Sequence, residues 1–123
     1  MKAYGRSKLC NIIFTRELAH RLLGTGVTAN CLHPGFVATR FGDQSGGVIS
    51  RFGGLAKLFA IPPEKGAETI IYLASSPKIA ATTGRYFYKC GPIAPSREAQ
   101  SDQTANLLWD RSADLAGLKA PST

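Results

Sequence analysis

Tyr4 and Lys8 stand four residues apart in the stretch YGRSK, close to the first residue of the chain. On a helix, side chains at i and i+4 project from one face. A phenol, with a pKa of about 10, is a poor acid–base group at neutral pH. A neighbouring ammonium favours the phenolate and moves the group toward the working range. Such a pair can pass a proton to or from a substrate oxygen. The spacing alone is common, and the competing reading is an exposed helix start with an ordinary aromatic. The second piece is Pro34-Gly35-Phe36-Val37-Ala38-Thr39. Gly35 permits close backbone approach, and Thr39 offers a hydroxyl beyond the turn.

Both pieces depend on the elements that carry them. From Tyr4 to about Leu23 there is no proline, and Gly24-Thr25-Gly26 supplies a helix stop. Leu9, Ile13, Arg16 and His20 share one face of this helix, and Phe14, Leu18 and Leu22 lie on another. Apolar residues on two sides predict burial against two surfaces, a sheet and a partner chain. Val27 to Leu32 reads as a buried parallel strand, ended by His33-Pro34-Gly35. Ligands of open α/β sheets bind outside the carboxyl ends of such strands, where the Pro34 turn is expected.

Residues 40–61 are rich in glycine and aromatics and read as a loop with an apolar side. Phe52, Leu55, Leu58 and Phe59 either cap a lipophilic substrate or are core; both readings stay open. Pro62-Pro63-Glu64 starts a second helix, for which Ala67, Ile70, Ile71 and Ala74 are the expected buried stripe. Gly84 to Cys90 reads as a second strand ended by Gly91-Pro92, and Asp102 to about Leu115 as a last helix with Gly117 as its stop. Helix–strand alternation predicts an α/β layered fold with a parallel sheet. Two strands are too few to carry helices on both faces, so further strands are expected upstream of Met1.

The 123 residues make one domain at most, 44% hydrophobic and 19% charged, as in a globular chain. The net charge of +7 comes from basic residues spread evenly along the chain, without the clustering of a nucleic-acid surface. Arg85-Tyr86-Phe87-Tyr88-Lys89 is the one basic–aromatic stretch, and its alternation reads as a strand. Cys10, Cys31 and Cys90 are scattered in apolar stretches, which fits reduced core thiols and a reducing compartment. Two histidines and three scattered cysteines give no metal-ligand spacing. No apolar run reaches the ~20 residues of a membrane span. His33 reads as a strand-end residue, His20 as part of a solvated face, and Trp109 as packing in the last helix.

YGRSK followed one helix later by NCLHPGFVAT resembles the carboxy-terminal half of a short-chain dehydrogenase/reductase, a Rossmann-type doubly wound fold. The tail, from TGRYFYKCGPIAPS to LLWDRSADLAGL, resembles the retinol-dehydrogenase-like branch of that family. The resemblance covers essentially all of residues 1–123. It implies an oxidoreductase that uses NADP or NAD to interconvert lipophilic alcohols and carbonyls, such as retinoids. Tyr4 then matches the catalytic acid/base, and Lys8 the lysine that lowers its pKa and hydrogen-bonds the nicotinamide ribose. Pro34, Gly35 and Val37 match the turn against the nicotinamide, and Thr39 the residue that contacts the carboxamide or a phosphate.

The family's glycine-rich pyrophosphate turn, catalytic serine and structural asparagine all precede its tyrosine, and here only Met1, Lys2 and Ala3 do. The expectation is therefore a partial domain that is inactive alone. The alternative is a truncated, non-catalytic protein acting as an interaction module, a homo-oligomer packed through the 4–23 helix around Leu9 and Ile13. Location at the cytoplasmic face of an endoplasmic-reticulum-type membrane would require an anchor outside this chain.

Overall fold

The computed structural model describes residues 2–35 and 61–118. Val37, Thr39 and residues 40–60 of the cap expected at 40–61 lie outside the described residues. Helix α1 spans Lys2–Arg21 and strand β1 spans Cys31–His33. Helix α2 follows at Pro63–Ser75, then a single 3-10 turn at Pro77–Ile79. Strands β2, Tyr86–Tyr88, and β3, Gly91–Ile93, form a hairpin. A second 3-10 turn, Glu98–Gln100, leads into helix α3 at Asp102–Leu115.

The result is a mixed α/β architecture, the expected class. The sheet order is β1-β2-β3. β1 and β2 pair in parallel, with Cys31 opposite Tyr86, Leu32 opposite Phe87 and His33 opposite Tyr88. A parallel neighbour reached through a helix is a βαβ unit, the building block of Rossmann-type folds.

Three local expectations are corrected. The strand expected over Val27–Leu32 covers only Cys31–His33, because polar side chains take over the pairing before it. Ala29 N–H donates to Thr83 Oγ1 at 3.0 Å, Asn30 Nδ2 donates to the Thr82 carbonyl at 2.7 Å, and Arg85 N–H donates to Asn30 Oδ1 at 3.0 Å. The sheet also has a third strand. Gly91-Pro92 looked like a terminator, but β3 pairs antiparallel at the sheet edge, where a proline without an N–H is tolerated. Third, the buried residues of α2 are Gly66 and Thr69, whereas Ile70 and Ile71 are 53% and 61% exposed. Phe87, 1% exposed, meets α2 through Tyr72, with ring centroids 6.4 Å apart. That contact turns α2 about its axis relative to the aliphatic stripe read from the sequence.

The main apolar cluster lies between α1 and α3. Ile13, Ala99 and Ala105 are its buried members, with Leu9, Ile12 and Leu108 packed against them. Ile13, near the face that the alternative reading packs against a second copy, is buried with Ala99 and Ala105 of this chain, while Leu9 is partly buried. Trp109 packs as expected: its ring stacks on Phe14 at 5.1 Å, with the Arg21 guanidinium 4.5 Å from its centroid. Arg21 in turn donates to Glu17 Oε1 at 2.6 Å, so the buried carboxylate of Glu17 keeps an ionic partner. Arg16 donates to the Ala99 carbonyl and pairs with Asp102 at 3.1 Å. Ser101 caps α3 by accepting from Thr104 N–H at 3.2 Å. Leu118 N–H donates to the Ala113 carbonyl as Gly117 turns the chain away, the expected stop.

Candidate active site

Both members of the predicted acid–base pair lie in the first turns of α1. No proline interrupts this segment, so the i, i+4 geometry assumed from the sequence is realised. The Lys8 ammonium stands 5.2 Å from the Tyr4 ring centroid, within cation–π range. Tyr4 is 56% exposed and Lys8 is exposed, so a ligand can reach both. Ser7 donates its hydroxyl to the Tyr4 carbonyl at 2.8 Å, closing the turn between them.

Pro34 and Gly35 follow β1 directly, at the carboxyl end of the parallel pair. Gly35 has φ +86°, a conformation that glycine adopts freely and that costs other residues. A Cβ there would stand 3.1 Å from Ile61 Cδ1 and 3.7 Å from Tyr88 Cε2. The backbone angle therefore favours glycine, and an added Cβ would also press on the end of the Ile61 side chain.

Two contributors to this region carry no signal in the sequence. His33, exposed as expected of a strand end, stacks on Tyr88 with centroids 5.7 Å apart and planes at 22°. That neighbour appears only once His33 and Tyr88 are paired across β1 and β2. Ile61 reaches the bend from just before α2, and nothing in its surroundings marks it.

Cys10, Cys31 and Cys90 are free thiols, all half-buried where core positions were expected. Burial pushes the Cys31 thiol above its ordinary value, with a Thr15 hydrogen bond pulling the other way. Tyr86, opposite Cys31, is also pushed up, by burial first and then by Cys31. Among the described residues no group of three or more His, Cys, Asp or Glu could hold a metal ion. No helix among them is long and apolar enough to cross a membrane.

Relatives of known kind align with most of this chain. Human retinol dehydrogenase 14 is 46% identical over 118 residues, which is 94% of this chain and 35% of that protein's length. Its homologues are retinol dehydrogenases, members of the short-chain dehydrogenase/reductase family. Human retinol dehydrogenase 13 is 42% identical over 98% of the chain and 38% of its own length. The human WW domain-containing oxidoreductase is 43% identical over 89% of the chain and 26% of its own length. No family model matches the chain. The chain spans about a third of the length of the curated relatives it matches. With that kinship, the parallel β1–β2 pair is consistent with a partial Rossmann-like fold.

Proposed function

We propose that this chain carries the acid–base part of an NAD(P)-dependent oxidoreductase acting on a lipophilic alcohol or carbonyl, a retinoid being the model substrate. The observation that carries the reading is the Tyr4–Lys8 pair, exposed on one helical face in a retinol-dehydrogenase-like sequence. The residues present suit a nicotinamide nucleotide. Lys8 is an exposed ammonium able to donate to ribose hydroxyls, and the Pro34–Gly35 bend brings bare backbone to the carboxyl end of β1. Val37 and Thr39 are proposed to extend that surface. Bound NAD(P) supplies or accepts the hydride.

In the reductive direction Tyr4 donates its hydroxyl proton to the substrate oxygen as the hydride adds to carbon. The phenol is left as an anion beside the Lys8 ammonium, which offsets its charge. Oxidation runs the same path in reverse: Tyr4 takes the alcohol proton and the carbon gives up its hydride. Among the described residues there is no glycine-rich turn to hold a pyrophosphate, and the chain is proposed to be inactive alone.

The test is a chimera: human retinol dehydrogenase 14 with its matched 118-residue segment replaced by this 123-residue chain. The expected outcome is reduction of all-trans-retinal with NADPH or NADH. A folded chimera that binds either nucleotide yet turns over neither retinal nor other lipophilic aldehydes and ketones contradicts the proposal.

A further inference from the structure

The carboxyl end of β2 carries an unusual connection. Tyr88 and Gly91 pair across a two-residue turn in which Lys89 has φ 48° and Cys90 φ 59°. Hairpins of this kind need positive φ at both central residues and normally place Asn-Gly there. Lysine and cysteine adopt such angles only when their surroundings hold them. The holding group is on α2. Thr69, 4% exposed, accepts from Cys90 N–H at 3.2 Å, and the Cys90 thiol lies 3.9 Å from the same oxygen.

The residue just before this turn is Tyr88. Its ring stacks on His33, its register partner, and its Cε2 would lie 3.7 Å from a Cβ placed on Gly35, ordinary van der Waals spacing. A path of contacts thus runs from a buried hydroxyl on α2, through the turn and Tyr88, to His33, the residue just before the Pro34–Gly35 bend.

We infer that Thr69 and Tyr88 are positioning residues for the bend, Thr69 fixing the turn and Tyr88 serving as the support on which His33 rests. The inference rests on the reading above, in which the bend meets the nicotinamide. Contacts of that type are made in ground and transition state alike, so loosening them raises the nucleotide KM more than it lowers kcat. A purely structural role has another signature: fewer folded molecules, hence lower kcat at unchanged KM.

The experiment uses the chimera, with steady-state kinetics and a fluorescence titration of NADPH. Thr69→Val, which keeps the shape and removes the acceptor, is expected to raise KM and Kd about fivefold, the scale of one neutral hydrogen bond. Thr69→Ser is expected to restore both to within about twofold. Should Thr69→Val fail to fold, Tyr88 decides: Tyr88→Leu is expected to raise KM and Kd, and Tyr88→Phe, which keeps the ring, to leave them unchanged. Unchanged KM and Kd in Thr69→Val or in Tyr88→Leu overturn the inference, as does a Thr69→Ser variant no better than the valine. Tyr4→Phe in the same chimera reports separately on the functional reading, because the titration needs no turnover.

Discussion

Gly35 concentrates the demands of the site in one residue. Its φ of +86° penalises any side chain, and its Cβ direction is closed at 3.1 Å by Ile61 Cδ1. Gly35→Ala should therefore lower stability by about 1–2 kcal/mol from the backbone angle, with a further steric part from Ile61. The double variant Gly35→Ala, Ile61→Val removes the crowding methyl and should recover only the steric part. Denaturant unfolding of the chimera measures both, and full recovery in the double variant would refute the backbone contribution. The sequence marked Gly35 through the Pro-Gly turn, and Tyr4 and Lys8 through their spacing. It could not mark Tyr88, His33 and Thr69 as neighbours, because their contacts depend on strand register and on the rotation of α2.

Elements were legible to the extent that their signals were local. α1 and α3 have clear stops in Gly24 and Gly117, and both helices appear close to where they were expected. β3 was missed because its turn is built from Lys89 and Cys90 rather than from recognisable turn residues. The buried side of α2 was misread because an aromatic partner, Phe87, outweighs the aliphatic pair Ile70 and Ile71 in setting how the helix sits.

A pH prediction belongs to the β1–β2 pair. Cys31 and Tyr86 face each other in register, and burial raises both above their ordinary values of 9.0 and 10.0. Each is neutral when protonated, so the folded state favours the protonated form. Their contribution to stability is complete below the ordinary thiol value and is lost as pH rises through the raised folded values. The Tm of the chimera should fall above about pH 9, and less steeply in Cys31→Ala, which also relieves Tyr86 of its charged neighbour. Parallel losses of Tm in both proteins contradict this account of the pair.

At the scale of the molecule, the described core is small. Its main cluster, Ile13, Ala99 and Ala105, lies between α1 and α3, while Ile70, Ile71, Leu107 and Leu115 stand exposed. Exposed apolar surface of this kind favours association or loose order in isolation. The isolated 123-residue chain is expected to show weak or no NADPH binding by fluorescence or calorimetry, because a dinucleotide loses several kcal/mol without its pyrophosphate and adenine contacts. Micromolar affinity in the isolated chain would overturn that expectation. Fold class and kinship were legible at this scale because α/β alternation and the YGRSK and HPG stretches are local features of the chain.

The central claim is that the Tyr4 hydroxyl moves the proton in an oxidoreductase reaction. Its most direct measurement is retinal turnover by the chimera with Tyr4 and with Tyr4→Phe, alongside NADPH binding to each. The account predicts a loss in kcat of about 100-fold or more with nucleotide affinity little changed, the scale of general acid–base catalysis. A phenylalanine variant that turns over at the parent rate would contradict it.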